Sequence, residues 1–281
     1  MNIEEYAQKA EALFALPDSV VQLKACMDDD AASIDNVGTI VLTDPGLTAH
    51  ILKVANSAMY NFPKKIDTMS KALQVIGTRA AYDLALSYGV SYAFKDTPGN
   101  VIDLDRFWEH SICCGLLAKQ IAEFHNHREP ERFFVTGLLN NVGELVVASL
   151  NEEAANANLG FTKEITPPEL QHKVLGFDYA SLSGELLKGW CLPDSIYAPL
   201  QVIHNVDEAD LTRDAQIIKL AYYLALDNVN NEIYEAYENI SPDMHQRLDL
   251  ETDDLEEALD KTNIECMGLI SLFSPTSFML Y

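Results

Sequence analysis

Basic residues are scarce in this chain. Nineteen Lys and Arg stand against 43 Asp and Glu, giving a formal net charge of −24 over 281 residues. A field of that sign repels phosphate backbones and anionic lipid at long range, which argues against direct binding to nucleic acid or to a membrane surface. Glycine (13) and proline (11) are sparse, so long disordered tracts are not expected. No uninterrupted apolar run reaches about 18 residues, the length a membrane span needs. The segment from Met1 to Tyr6 is acidic and lacks a basic stretch followed by an apolar one, so no secretory signal is read and a cytoplasmic protein is expected.

The five cysteines, Cys26, Cys113, Cys114, Cys191 and Cys266, form no CxxC pair. Buried reduced thiols are expected, with a redox-sensing vicinal pair at Cys113 and Cys114 as the alternative. A GxSxG elbow, a GxxxxGK[ST] phosphate loop and a GxGxxG following a strand are all missing, which removes the common serine-hydrolase, P-loop and dinucleotide-binding readings. Nothing in the spacing assembles a serine–histidine–acid triad.

Apolar residues make up 48% of the chain, enough for a sizeable core. Their spacing is helical almost throughout. Residues 3–14, 18–27 and 33–42 read as helices, with Asp18 or Ser19 as a cap for the second. Asp44 and Pro45 form a start signal, since an N-cap acceptor followed by proline at the first helical position suits a helix end whose N–H groups have no partner. That helix ends near Asn56. Met69 to Ile76 follows, closed by Gly77, and then Thr78 to Phe94.

Residues 95–100 are the most linker-like stretch and set a subdomain boundary. Beyond it, long helices are expected over Asp103–His125 and Glu131–Leu150. Shorter ones are expected over 168–175, 179–190, 194–205, 212–228, 232–238 and 253–271, with Asp178 and Asp194 as caps. Asp227 to Asp260 is strongly acidic, with Arg247 its only Lys or Arg, and reads as a solvated face or a partner-docking surface. The apolar tail Met267–Tyr281 is expected to pack back on the domain, with a homodimer or partner contact as the alternative.

An ordered set of segments resembles the HDOD domain, a relative of the HD metal-dependent phosphohydrolases found in bacterial signalling proteins. Leu16-Pro17 opens the set. Thr43-Asp44-Pro45-Gly46-Leu47 looks like the family's DP-x-L segment, and Asn56-Ser57-Ala58-Met59-Tyr60 like its NSA-x-Y segment. Ile66 through Gly77 follows, then Phe107-Trp108-Glu109-His110-Ser111, the stretch 137–147, and Trp190-Cys191-Leu192-Pro193. Together they span residues 16–226. The resemblance implies an all-α fold of about a dozen or more helices in an HD-like bundle. The division it implies is an N-terminal subdomain over 1–95, an HD-like subdomain over 101–226, and an acidic extension over 227–281. Asp44, Pro45, Asn56, Ser57, Tyr60 and Gly77 would be structural.

HD hydrolases hold their metal with a His, a His-Asp pair and a later Asp. By resemblance, His110 occupies the first position, Asn140 and Asn141 the pair, and Tyr222 the last. Two further positions where relatives carry histidine read Tyr179 and His204. Carboxamides are poor donors for a catalytic divalent ion, and both carboxylates that would balance its charge are lost. The expectation is a non-catalytic signalling domain with neither metal nor cofactor, standing alone. It would act by recognising a regulatory or signalling protein, or a small ligand in the vestigial pocket of His110, Asn140, Asn141, Tyr179, His204 and Tyr222. The alternative is a metal-dependent phosphohydrolase with remodelled ligands. Glu144, one turn from the asparagines, is expected to be a structural salt-bridge partner.

Overall fold

In the computed structural model, which describes residues 1–29, 33–97, 101–205 and 207–273, helices begin where the sequence supplies a side-chain acceptor. Fifteen α-helices, one 3-10 turn (Glu208–Asp210) and no β-sheet are present among the described residues; the only bridge there is an isolated one between Thr162 and Ile165. The expected linker residues 98–100 and the end of the apolar tail, 274–281, lie outside the described residues.

Contacts divide the chain into two units otherwise than the three-part expectation over 1–95, 101–226 and 227–281. Met1–Phe14 belongs with Thr97–Asn263, and Ala15–Asp96 with Ile264–Tyr281. The first grouping follows from α1 (Ile3–Leu13), which packs on helices of residues 142–150 and 179–189.

The unit built on residues 15–96 contains α2 (Asp18–Met27), α3 (Ile34–Leu42), α4 (Pro45–Ala55) and α5 (Met69–Ala93). Asp44 starts α4 by accepting from Leu47 N at 3.0 Å, and its second oxygen accepts from Ser19 Oγ at 2.7 Å. Ser19 therefore ties α2 to the cap of α4, while Asp18 is the first residue of α2 and Pro17 precedes it without a capping bond. Asn56 ties down the following loop. Its amide donates to Ile66 O at 2.7 Å and accepts from Ile66 N at 2.8 Å. Ser57 Oγ donates to Val54 O, and the Tyr60 ring stacks on Phe62. Gly77 interrupts α5 with φ 84°, ψ 160°, a conformation disfavoured for a residue with a Cβ. His50 is buried, its ring 5.4 Å from Tyr88 and 4.9 Å from Phe273.

The other unit is centred on α6 (Leu104–Phe124), packed on α7 (Pro130–Leu138) and α13 (Arg213–Val229). Asp103 caps α6 through Arg106 N, and residues 110–122 of α6 are all buried. The α6–α7 crossing is close because both faces carry glycine. A Cβ on Gly137 would lie 2.7 Å from Gly115 Cα and 2.8 Å from Cys114 O, inside any tolerable contact.

The expected helix over 131–150 is broken. α7 stops at Leu138 and α8 starts at Val142 (Val142–Leu150). Asn140 turns its amide back onto Gly137 O at 2.5 Å, the local side-chain bond with which asparagine competes against helix continuation. By length and hydropathy Pro130–Leu150 resembles a membrane span, yet 78% of its most apolar window is buried inside the protein, as a core element would be.

The remaining helices are α9 (Glu152–Ala157), α10 (Pro167–Leu175), α11 (Tyr179–Gly189), α12 (Asp194–Leu200), α14 (Pro242–Gln246) and α15 (Thr252–Phe273). The short α9 and α14 were not expected. Residues 232–238, expected as a helix, form turns. α12 ends at Leu200 rather than 205. Pro199 has no N–H for Ser195 O, and Arg132 Nη1 donates to that carbonyl instead, at 2.8 Å. Asp194 lies in the first turn of α12 and does not cap it; Pro193 holds that position. The thiols also depart from expectation: Cys113, Cys114 and Cys266 are buried, but Cys191 is exposed and Cys26 partly so.

Candidate functional site

The turn between α7 and α8 is held by a second helix. Ser183 of α11 donates to Asn140 O at 2.9 Å and accepts from Gly143 N at 2.8 Å. Close approach makes this reach workable, since a Cβ on Gly143 would lie 2.4 Å from Tyr179 O. Tyr179 itself opens α11. Its N–H donates to Gln171 Oε1 at 2.8 Å, and the preceding residue, Asp178, caps the helix through Ser181 N. The second Asp178 oxygen collects Ser181 Oγ, Asn205 Nδ2 and His172 Nε2 between 2.9 and 3.2 Å. His172, its side chain still 36% exposed, thus reaches a buried carboxylate.

A cavity of about 120 Å³ opens beside this turn. α6 contributes Arg106, Phe107 and His110, and the turn and α8 contribute Asn141 and Glu144. Asn158, Leu159 and Phe161 come from the α9–α10 loop. Tyr179 and Tyr222 complete the aromatic lining.

Of the six pocket residues expected from sequence, His110, Asn141, Tyr179 and Tyr222 line this cavity; Asn140 and His204 do not. Asn140 is fully buried, its Nδ2 spent on Gly137 O and its Oδ1 without a partner. His204 lies against Tyr222 and Tyr223, with ring centroids 4.6 and 5.7 Å away, and neither of its ring nitrogens has a partner. His110 makes no hydrogen bond to either asparagine. Its ring meets Tyr222 edge-on at 5.1 Å. Tyr222, 3% exposed, is therefore in aromatic contact with both surviving histidines.

Burial governs the charge states. Loss of water lowers His110 to about 4, helped by His204 and Arg106, so its imidazole is neutral at neutral pH. His204 is also lowered to about 4, by burial first and against the pull of Asp178. Burial raises the phenols of Tyr179 and Tyr222 well above their ordinary value, so neither offers a phenolate. Glu144 is raised to about 7, because burial outweighs the hydrogen bond it accepts from Asn141 Nδ2. Glu144 forms no salt bridge; it is a cavity carboxyl held by one amide.

The resemblance to HD hydrolases implies a divalent metal, and these side chains do not fit one. The amide of Asn140 is committed to backbone, that of Asn141 to Glu144, and a phenol stands at the last ligand position. Among the described residues no three His, Cys, Asp or Glu side chains converge as a metal site would require.

The residues that sequence reasoning passed over are Ser183, which bridges the turn, and Arg106, Glu144 and Asn158 in the cavity. Glu144 was in view, but as a salt-bridge partner. Ser183 and Arg106 gave no local signal, because their roles depend on contacts with residues distant in sequence; Asn158 bonds locally to Ala154 O, which says nothing of the cavity it lines.

Comparison with known proteins agrees with this fold. The structure superposes on an HDOD domain protein of unknown function from Geobacter sulfurreducens with a TM-score of 0.75 and 21% identity, covering 96% of this chain and 97% of that one. A protein from Shewanella amazonensis SB2B, provisionally named a phosphohydrolase, gives a TM-score of 0.75 at 20% identity, with 95% and 97% covered. Identities this low show the fold alone. An uncharacterized protein of Treponema pallidum (strain Nichols) is 21% identical over 206 residues. That match takes in 72% of this chain and 40% of the relative, so the chain spans about two-fifths of that relative's length. The sequence model of the HDOD domain matches residues 13–206, more than half of the chain, and the protein belongs to the HDOD domain family.

Proposed function

We propose that this HDOD protein is a non-catalytic regulatory domain that works by recognition, with a degenerate HD metal site. The reading is carried by the contact of the Tyr222 ring with both His110 and His204, where the family's last carboxylate ligand would stand. A divalent ion there would have neutral imidazoles and amides around it, with the one neighbouring carboxyl, Glu144, already bonded to Asn141, against the three or so protein ligands that a catalytic zinc site uses. The net charge of −24 supports a protein partner with a basic patch over nucleic acid or anionic membrane. The proposed setting is the cytoplasm of a bacterium, within a signalling pathway.

Metal analysis of the purified protein, combined with assays on phosphodiesters and nucleotides in the presence of manganese, iron or zinc, tests the reading. Substoichiometric metal and no turnover are expected. Stoichiometric metal with turnover abolished by His110→Ala would overturn it.

One observation favours the second reading, a hydrolase with remodelled ligands. Glu144, held near 7 by burial, lines the same cavity as His110, and a carboxyl of that pKa is suited to general acid–base work. Under that reading Glu144→Gln would abolish turnover while leaving the metal content unchanged.

A further inference from the structure

One side of the cavity is closed by two segments that meet, not by a single helix. The α9–α10 loop contributes Asn158, Leu159 and Phe161, and the end of α13 contributes Val229 and Asn230. The loop is anchored at both ends. Asn158 is buried, its Nδ2 donating to Ala154 O at 2.9 Å, and Thr166 opens α10 in a capping box with Glu169. Between those anchors none of residues 159–165 is buried, and the turn is closed on itself by Thr162 N donating to Ile165 O at 3.0 Å. A segment with no buried side chain of its own opens at little cost, because few contacts are lost.

The loop is held down by the turns that follow α13. Tyr234, 2% exposed, donates its hydroxyl to Thr162 O at 3.1 Å, and its ring stacks on Phe161 at 6.5 Å with 8° between the planes. Lys163 pairs with Glu238 at 3.2 Å and with Glu235 at 3.6 Å, both near the surface, where ion pairs contribute little. Those turns are themselves tied to the helices behind them. Arg106 donates to Asn230 Oδ1, to Val229 O and to the Glu232 carboxylate. Asn239 N donates to Asp227 Oδ2 at 3.0 Å. The junction is therefore well fastened on the α13 side and lightly held on the loop side.

From the unburied loop, the place of Leu159 and Phe161 in the cavity lining and the one phenol that fastens them, we infer that residues 159–165 form a lid over the cavity and that Tyr234 is its latch. Release of Tyr234 frees Thr162 and Phe161 together, since the hydrogen bond and the ring stack belong to one side chain. The loop then swings between Asn158 and Thr166 and takes Leu159 and Phe161 out of the lining. That equilibrium sets access to His110, Asn141 and Glu144, whether the cavity recognises a ligand or hydrolyses one.

Diethyl pyrocarbonate, a small electrophile that acylates neutral imidazole, reads the opening without a known ligand. His110 lines the cavity, whereas His204 in the same unit and His50 in the other do not. Single-hit labelling of the full chain, followed residue by residue by mass spectrometry, gives the three rates. Tyr234→Phe keeps the ring and removes the hydroxyl. It should speed His110 about fivefold, the worth of one hydrogen bond, and leave His50 and His204 unchanged. Lys163→Ala should speed His110 about twofold at most. Amide exchange at Thr162 and Ile165 should rise in step with His110 labelling in Tyr234→Phe, while the amides of α6 keep their rates. An unchanged His110 rate or unchanged loop exchange in Tyr234→Phe overturns the lid. Equal acceleration of all three histidines means general loosening and overturns it too. A larger effect from Lys163→Ala than from Tyr234→Phe overturns the assignment of the latch.

Discussion

Glu144→Gln is expected to make the protein more stable at pH 8 and to leave it nearly unchanged at pH 5. Burial holds the Glu144 carboxyl at about 7, against its ordinary 4.5. The folded protein therefore keeps a proton that the unfolded chain releases anywhere between those values. Stability falls as pH rises through that window and is level above it. At about 1.4 kcal/mol per pH unit the full effect approaches about 3 kcal/mol. Glu144 retains some exposure, and screening by water trims this towards about 2 kcal/mol. Glutamine has the same shape, still accepts from Asn141 Nδ2, and has nothing to ionise. The buried histidines titrate equally in both proteins, so they cancel from the difference.

Urea unfolding at pH 5, 6, 7 and 8 measures this effect. Tryptophan fluorescence is a suitable probe, because both tryptophans, Trp108 and Trp190, lie in the unit that contains the cavity. The midpoint of the variant should rise relative to the wild type between pH 5 and pH 8, with unchanged m values. Parallel pH profiles for the two proteins would refute the argument, since they would mean that Glu144 titrates alike folded and unfolded.

Other perturbations address the rest of the molecule. Gly137→Ala should cost about 1–3 kcal/mol, because the new methyl strikes the α6 backbone and that overpacking outweighs the gain in helix propensity. Gly268→Ala, which has nothing within 4 Å of its added Cβ, should instead stabilise by up to about 1 kcal/mol, and urea midpoints followed by circular dichroism distinguish the two. His50 is lowered from 6.5 to about 3 by burial, so its contribution to stability is complete above pH 6.5 and declines as pH falls towards 3. His50→Phe should flatten the acid limb of the stability profile, and an unchanged slope would contradict the assignment. A thiol reagent should label exposed Cys191 first and Cys26 more slowly, whereas Cys113, Cys114 and Cys266 should react only on unfolding.

Helix starts were legible because their chemistry is local. Asp44 with Pro45, Ser33, Asp103 and Asp178 each place an acceptor within three residues of the N–H that it caps. The break at Asn140 was hidden for the opposite reason. Apolar residues run on both sides of it at helical spacing, and only the bond of its amide to Gly137 O and the hold of Ser183 reveal a turn. Glu232 to Glu238 has the composition of a helix but forms turns, with Arg106 and Lys163 bonded to its carboxylates. For the candidate site, the resemblance singled out four residues that do line one cavity. It did not find Arg106, whose place depends on contacts with Asn230 and Glu232 that no spacing rule encodes, or Asn158, whose local bond to Ala154 O does not point to the cavity.

The packing of Tyr222 against two histidines decides what a carboxylate placed at this position would meet. Tyr222→Asp alone would set a charge in a dry hollow between neutral rings, and Asn141→Asp alone would set a second carboxylate beside Glu144. Taken singly, either substitution buries a carboxylate without a counter-charge and is expected to destabilise the fold; only a cation brought in with both could offset that cost.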